Sequence, residues 1–406
     1  MVKVITDEKI IEHVLTRGVE NIYPDKESLK KLLLSGKRIR LYCGYDPTSP
    51  TLHIGHGITV RKLAQFQELG HQVIFLFGDF TAQIGDPTDK QAARKPLTHR
   101  EVLRNLKNWK KQIKNLIDIK KVEFKYNSQW LAKMSFADLL KLAFHFTAQQ
   151  MLAREMFKKR LADGKDLFLH EFLYPVMQAY DSVAMDVDLE IGGNDQMFNM
   201  LAGRTLMKKI NNKEKFVLTT KLLADPSGKK MGKTEGNMIT LEDSPEDMYG
   251  KVMSWTDEMI VPAFEVLTDL SDEGLLEIKD QLQLGLTNPR DIKMKLAYEI
   301  VKIYLGGKAA EEAENNFKRV FQEKQKPLDI PEIKIEDQDG KIGVLDLFVQ
   351  TKLAQSNSEV RRLIKEGAIR IDDELIRDEN LVLTLPPAGL LLQRGKKQFA
   401  KALLKK

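Results

Sequence analysis

Val73-Ile74-Phe75-Leu76-Phe77 is an unbroken apolar run, which predicts a strand buried on both faces, as in a parallel sheet. Upstream, Ile39 to Cys43 is a short β-favouring run, His53 to Leu69 carries helical spacing, and Gly70 ends that helix. Arg38 to Phe77 therefore forms a strand-helix-strand unit, the opening of a doubly wound α/β sheet. Thr98 and Glu101 form a Ser/Thr-x-x-Glu capping box. Behind it, Leu103, Leu106, Trp109, Ile113 and Leu116 mark one face of a single long helix that leads to a strand at Val122 to Tyr126. From about Phe136 to Gln178 the pattern is helical and interrupts the alternation, which resumes with Val187-Asp188-Leu189-Glu190-Ile191 and a helix from about Asp195. Past Met238 it is helical to about Val320, with starts expected at Thr240 and Ser244. Gln322 to Lys341 is polar and holds two prolines, as a linker does.

These elements divide the 406 residues into a Rossmann-like parallel-sheet domain at 1–225 with a helical insertion at about 130–186, an α-helical domain at 226–321, a linker at 322–343, and a small α+β domain at 344–406. A hydrophobic share of 42% with 30% charged residues is that of a globular chain with a sizeable core. The N-terminus lacks a signal-peptide core, and no stretch approaches the roughly 20 apolar residues of a membrane span. A cytoplasmic, membrane-free protein is expected. The single cysteine, Cys43, excludes an intrachain disulfide, and the seven histidines show no metal-ligand spacing, so no protein-ligated metal is expected. Net charge is +6, and from Asp346 onward 12 Lys/Arg face 8 Asp/Glu, a local +4. That excess suits an anionic partner such as RNA, or else a solvated lysine tail.

Two motifs carry chemistry. Tyr42-Cys43-Gly44-Tyr45-Asp46-Pro47-Thr48 follows the first strand, and His53-Ile54-Gly55-His56 then opens a helix. Free N-H groups at a helix N-terminus bind phosphate, and Gly55 lets a nucleotide approach the backbone. Lys230-Met231-Gly232-Lys233-Thr234 sets two lysines three residues apart, able to neutralise a departing pyrophosphate. A P-loop would need glycine at 227, where Ser227 stands, so that reading fails.

Together, and in this order on a nucleotide-binding sheet, the two motifs resemble those of class I aminoacyl-tRNA synthetases. Gly232 stands where the second motif usually has serine, a variant seen among tyrosyl enzymes. Gly85-Asp86-Pro87, Tyr174-Pro-Val-Met-Gln178-Ala-Tyr-Asp181 and Gly192-Gly193-Asn194-Asp195-Gln196 resemble the tyrosyl family more than the tryptophanyl one. Helical spacing puts Tyr174, Gln178 and Asp181 on one face, where they can line one pocket. The resemblance implies that Asp86, Tyr174 and Gln178 hold the α-ammonium of tyrosine, with Thr81 in support, and that Tyr42 and Asp181 bond its phenol. Tyrosyl enzymes are themselves the established example of such a pair rejecting phenylalanine, because the site's polar groups would be left unsatisfied.

The resemblance also assigns Gln196 to the carboxylate or α-phosphate, Gly193 and Asp195 to the ribose, and His56 and Thr59 to the nucleotide sugar. Thr48 and His53 fall to the γ-phosphate, and Lys230 and Lys233 to the pyrophosphate. Gly44, Asp46, Gly55, Met231 and Thr234 complete the ATP set. Cys43 stands near the ribose, or is simply a small buried hydrophobe. Lys90 and Arg94 lie on the pyrophosphate side or in a solvated loop. Asn194 and Asp89 depart from the family pattern, which has serine or threonine and glycine there. The implied reaction joins tyrosine to tRNA(Tyr) through an adenylate made from ATP with Mg²⁺, in a homodimer.

In the last segment, Ser358 is expected to cap a helix with Val360, Leu363 and Ile364 on its apolar side and Arg361, Arg362 and Lys365 opposite, ended by Gly367 and followed by a strand at Ala368 to Ile371. With Leu381 onward and Arg394-Gly-Lys-Lys397, it resembles the S4 RNA-binding domain. The alternatives are a tryptophanyl enzyme, disfavoured by the pocket helix and the tail; a small-molecule adenylyltransferase, which needs no RNA-binding tail; and a synthetase-derived RNA-binding protein without catalysis.

Overall fold

The structure is a computed structural model that describes residues 3–87, 97–224, 238–322, 330–335, 341–395 and 398–404. The chain forms two compact units, Met1–Glu311 and Glu312–Lys406. In the first, a six-stranded sheet has the order β1-β6-β5-β2-β3-β4, built from β1 (Val19–Tyr23), β2 (Arg40–Tyr45), β3 (Gln72–Phe77), β4 (Glu123–Tyr126), β5 (Leu189–Gly193) and β6 (Phe216–Thr220). All neighbours pair in parallel except β1, which runs antiparallel to β6 and closes that edge. Neither β1 nor β6 is anticipated by the sequence pattern, because each is short and takes its identity from its partner strand.

Helices α1 (Glu8–Thr16) and α2 (Lys26–Leu34) flank β1, and α3 (Ile54–Glu68) crosses from β2 to β3. β3 is buried from Val73 to Phe77, and β2 buries Leu41, Tyr42, Cys43 and Tyr45, as a sheet covered on both faces requires. Strand order reverses between β2 and β5, which makes their carboxyl ends a topological switch point where ligands bind in α/β sheets.

The long helix expected after Thr98 is instead two, α4 (His99–Leu106) and α5 (Trp109–Ile113). The capping box at Thr98 forms, but Leu103 is exposed and Val102 is buried in its place. The break lets α5 turn Trp109 inward, with its indole donating to the Ser49 carbonyl at 3.2 Å. Insertion helices α6 (Ser128–Leu131), α7 (Phe136–Ala143), α8 (Ala148–Leu152) and α9 (Glu155–Ala162) lead to α10 (Leu169–Met185), which packs on α11 (Met197–Ile210). At the start of α10, buried Glu171 accepts both Arg160 nitrogens (2.6 and 3.1 Å) and the Phe168 N-H (2.8 Å).

The helical stretch α12 (Pro245–Met253), α13 (Ile260–Leu267), α14 (Asp272–Gln283) and α15 (Pro289–Leu305) belongs to the same compact unit as the sheet. Ser244 caps α12 with Pro245 at its first position. Thr240 starts no helix: its hydroxyl and N-H close a turn on Asp243, and it bridges His53. The division between units falls within α16 (Gly307–Phe317).

In the second unit, β7 (Glu332–Ile335) and β8 (Lys341–Gly343) lie in the stretch expected to be linker. Ile335 and Ile342 join the core there, so a few apolar positions among polar ones suffice once partner strands exist. Helices α17 (Val344–Gln350) and α18 (Asn357–Lys365) accompany β9 (Ile369–Ile371), β10 (Glu374–Leu375), β11 (Val382–Thr384), β12 (Leu390–Arg394) and β13 (Gln398–Leu404). The main sheet has the order β10-β9-β12-β13-β7, and β11 pairs with β8. Ser356, not Ser358, caps α18, accepting from Glu359 N. Both serines suit a cap, and burial of Val360, Leu363 and Ile364 selects the frame.

Replacing Arg160 with Met leaves Glu171 buried without its charged partner, so Arg160→Met is expected to lower stability by about 3 kcal/mol. The double variant Arg160→Met/Glu171→Leu is expected to recover most of that loss. Urea unfolding of both variants is the check.

Candidate active site at the β2 and β5 switch point

The loop from β2 to α3 is held by one face of α4 and α5. Asn105 Nδ2 donates to the Pro47 carbonyl (2.9 Å), Trp109 Nε1 to that of Ser49 (3.2 Å) and Gln112 Nε2 to that of Pro50 (3.0 Å). Gln112 Oε1 in turn accepts Leu52 N at 2.7 Å. Sequence reasoning missed these three, although polar residues sharing the helical face of a buried Trp are a signal of a clamp.

At the start of α3, His53 is the N-cap residue, and its N-H donates to His56 Nδ1 at 3.1 Å, which places the ring proton of neutral His56 on Nε2. The two imidazoles lie 3.8 Å apart between centroids. A Cβ on Gly55 would come within 3.0 Å of the His53 ring, so glycine there lets the ring fold over the helix end. Ile54 N bonds Ile239 O (3.0 Å) and Leu241 N bonds Leu52 O (2.9 Å), which stitches the chain after residue 238 to the histidine motif. Thr48 is exposed on the clamped loop, with its N-H on Asp46 O at 2.8 Å. Gly44 is exposed on β2, whereas Thr59 is buried with its hydroxyl on Tyr45 Oη (2.9 Å) and His56 O (3.0 Å). Burial pushes the Cys43 thiol up to about 12. Lys230, Met231, Lys233, Thr234, Lys90, Arg94 and Asp89 lie outside the described residues.

Asp46 is the hub of the next group. Its Oδ1 accepts Thr81 Oγ1 (2.7 Å) and its Oδ2 accepts Tyr174 Oη (2.8 Å). Burial pushes its carboxyl up to about 7; the two hydroxyl bonds oppose the rise, and nearby Asp86 and Asp79 add to it. Burial, followed by Asp46 and Asp86, raises the Tyr174 phenol well above its ordinary value. Gln196 Nε2 donates to Asp86 Oδ2 at 2.7 Å, and Asn199 Nδ2 donates to Gln196 Oε1 at 2.9 Å. Gly193 and Asp195 stand at the end of β5, where a Cβ on Gly193 would come within 2.9 Å of Leu222.

Further along α10, Asp181 is buried and accepts Trp130 Nε1 (2.7 Å) and Asn127 Nδ2 (3.3 Å). Burial raises its carboxyl well above its ordinary value, and those two bonds oppose the rise. Tyr42 Oη meets Ser182 Oγ at 2.9 Å. Burial, then Glu190 and Asp181, drive that phenol well above its ordinary value. Gln178 Nε2 donates to Glu190 Oε1 at 3.1 Å. Glu190 pairs with Lys215, and both are almost wholly buried. The sequence carries no sign of this pair, because Asp188 and Glu190 alternate with Val187, Leu189 and Ile191 as on a strand with one exposed face.

In the second unit, Arg361, Arg362 and Lys365 are exposed on α18. Arg394 instead ties β12 to the helix, donating to Leu353 O (2.6 Å) and Glu359 (2.7 Å). Among the described residues no group of three or more His, Cys, Asp or Glu is arranged to hold a metal ion. Nor is any described helix long and apolar enough to cross a membrane.

The family model of the class I tRNA synthetases (W and Y) matches residues 34–322. That of the tyrosine-tRNA ligase SYY-like C-terminal domain matches residues 322–402. Over 400 residues, 97% of either chain, the protein is 43% identical to a tyrosine-tRNA ligase of Carboxydothermus hydrogenoformans. To that of Moorella thermoacetica it is 42% identical over 392 residues, 96% of this chain and 94% of the relative. A C-terminally truncated mitochondrial tyrosyl-tRNA synthetase of Coccidioides posadasii has a similar structure, with a TM-score of 0.61 at 25% identity over 75% of this chain and 91% of that one. This chain belongs to the class I tRNA synthetases and, within them, to the tyrosine-tRNA ligases, which use ATP as a substrate.

Proposed function

We propose that tyrosine lies along α10, with its ammonium among Asp46, Asp86, Tyr174 and Gln178 and its phenol between Tyr42 and Asp181. The observation that carries this reading is the bonding of Asp46 to both Thr81 and Tyr174. Asp46, read from the sequence as an ATP residue, then serves the ammonium: a half-buried carboxylate beside Asp86, whose side-chain hydrogen bonds among the described residues come from two hydroxyls, offers a cation site. Thr81 supports it, and Gln196 meets the carboxylate as the adenylate forms.

ATP, taken as its Mg²⁺ complex, lies from the end of β5 to the start of α3. Gly193 and Asp195 take the ribose, with Cys43 and Gly44 beneath it and Gly55 and His56 at the sugar and phosphates. Thr48 and His53 reach the γ-phosphate. Thr59, buried against Tyr45, supports His56 through its carbonyl. The tyrosine carboxylate attacks the α-phosphorus in line, and Lys230 and Lys233, with Met231 and Thr234, receive the pyrophosphate. The terminal ribose hydroxyl of tRNA(Tyr) then attacks the adenylate carbonyl. No residue forms a covalent intermediate; orientation and charge stabilisation do the work. Arg361, Arg362 and Lys365 hold the tRNA backbone.

The enzyme works in the cytoplasm as a homodimer. Phe136 and Phe144 around α7 and Leu169 at the start of α10 are 75%, 83% and 83% exposed, and large apolar side chains left in water along the insertion suit a subunit interface. Native mass spectrometry should give twice the 46.5 kDa of one chain; a single-chain mass would overturn the dimer.

Pyrophosphate exchange should depend on tyrosine, not on tryptophan, and Tyr174→Ala should reduce it by about a hundredfold. Exchange with tryptophan would refute the assignment. Changing Arg361, Arg362 and Lys365 to Ala should weaken tRNA charging and spare exchange. Asp46 also predicts a pH effect: as pH falls through about 7, its carboxylate takes up a proton and loses the charge that attracts the ammonium. The KM for tyrosine should therefore rise by about tenfold from about pH 8 to about pH 6. Asp46→Asn should raise the KM and flatten that profile, and a flat wild-type profile would remove Asp46 from the ammonium site.

A further inference from the structure

We infer that the buried Lys215–Glu190 pair, acting through Ser182, sets which way the hydrogen bonds of the tyrosine pocket point, and so makes Tyr42 a donor to the substrate phenol and Gln178 an acceptor for its ammonium. The inference rests on the pocket assignment above and adds Lys215, Glu190 and Ser182 as positioning residues.

A charged lysine has three donors and no acceptor. Lys215 Nζ contacts Glu190 Oε2 and lies 2.9 Å from Ser182 Oγ, so the serine oxygen must accept there. The Ser182 proton then has two possible takers, Tyr42 Oη at 2.9 Å and Glu190 Oε2 at 3.3 Å. The contact with Tyr42 is the shorter of the two, and it is the one assigned the Ser182 proton. With Tyr42 Oη accepting from Ser182, its own O-H can turn to the phenol oxygen of the substrate, in competition with the nearby Glu190 carboxylate. The substrate hydroxyl donates in turn to Asp181, whose oxygens already accept from Trp130 and Asn127, bonds that oppose the rise of its carboxyl and favour the charged, accepting form. Donation thus runs one way, from Lys215 through Ser182, Tyr42 and the substrate to Asp181.

The other Glu190 oxygen orients the opposite end of the pocket. A carboxylate can only accept, so at 3.1 Å Gln178 must present its NH₂ to Oε1. Its carbonyl is thereby turned away from Glu190 and left for the ammonium. One carboxylate thus assigns the amide orientation of Gln178, and its ion-pair partner assigns the hydroxyl direction of Tyr42. Space for this arrangement is provided by Gly203 on α11, where a Cβ would come within 2.6 Å of Lys215 Nζ and 2.9 Å of Ser182 Oγ. The pair has no cheap substitute within this packing, since removing one partner strands a buried charge.

The test measures, by tyrosine-dependent pyrophosphate exchange, the KM for tyrosine, the KM for ATP and the inhibition constant of L-phenylalanine as a competitor. Phenylalanine fills the same pocket without a hydroxyl, so it does not feel the direction of Tyr42. Ser182→Ala is expected to raise the tyrosine KM by about tenfold and to leave the phenylalanine constant and the ATP KM within about twofold. Lys215→Met/Glu190→Gln removes both charges together, so that neither is stranded. It is expected to raise the tyrosine KM by about tenfold more than the phenylalanine constant, which itself rises because Gln178 loses its anchor. A purely structural role would move the tyrosine and phenylalanine values together, and that result, or an unchanged tyrosine KM in both variants, overturns the inference. Tyr42→Phe is the control: if it fails to weaken tyrosine relative to phenylalanine, the pocket assignment itself is wrong and the inference falls with it. If the control separates the two ligands and Ser182→Ala does not, only the inference falls.

Discussion

Parallel pairing of β2 with β3 on one side and β5 on the other is the constraint on which the site depends. The register Arg40↔Gln72 to Tyr45↔Phe77, with Leu41↔Leu189 and Tyr42↔Glu190, brings three strands to a common carboxyl edge. Every assigned residue of the first unit within the described part lies on those strands, in the loops leaving that edge, or on helices packed over it. Gly78, just past β3, shows how close the approach is: a Cβ there would overlap the Asp46 carboxylate and come within 2.5 Å of Thr81 Oγ1. Without that glycine, Asp46 could not reach Thr81. Topology thus makes the crevice, and one small residue admits the carboxylate.

The two ends of the crevice differ in how they handle buried charge. Around Asp46 the side-chain bonds among the described residues come from two hydroxyls, and burial with Asp86 and Asp79 nearby pushes the carboxyl up to about 7, which suits the ammonium proposed there. Around Glu190 the positive charge is built in as Lys215, which burial pulls below its ordinary value while Glu190 opposes the fall. The proposed ammonium end thus leaves a carboxylate to be met by the ligand, whereas at the proposed phenol end the Glu190 charge is already met by Lys215 and Asp181 is bonded by Trp130 and Asn127. The same helix, α10, serves both ends because Tyr174, Gln178 and Asp181 recur at helical spacing along one side, and the Arg160–Glu171 pair ties down its first turn.

The second unit separates structural from available basic groups by the same logic. Arg394 is satisfied by Leu353 O and Glu359 and holds a small sheet to its helix. Arg361, Arg362 and Lys365 keep their heads in solvent, with only loose ion pairs at 3.7 Å to Glu379 and 3.3 Å to Glu366 for the two arginines. Such weakly paired surface cations can be traded for phosphate with little loss.

Local pattern alone determined the strands and helices whose identity is written in consecutive residues. Val73–Phe77 is apolar throughout, Thr98 and Glu101 cap each other across a single turn, and α10 displays its polar side at fixed spacing. The histidine motif was equally legible as the start of a helix, with His53 at the N-cap of α3, while the motif at Lys230 lies outside the described residues. Tertiary structure decided what depends on partners distant in sequence. It split one expected helix at Lys107 and Asn108 so that Trp109 and Gln112 could reach the loop at 49–52, and it made strands of β1, β6, β7 and β8. It set Asp46 against Thr81 and Tyr174, and it paired Lys215 with Glu190 under Tyr42. Periodicity records which face of an element is buried, but a buried polar atom is defined by its partner, and the partner is chosen only when the chain closes.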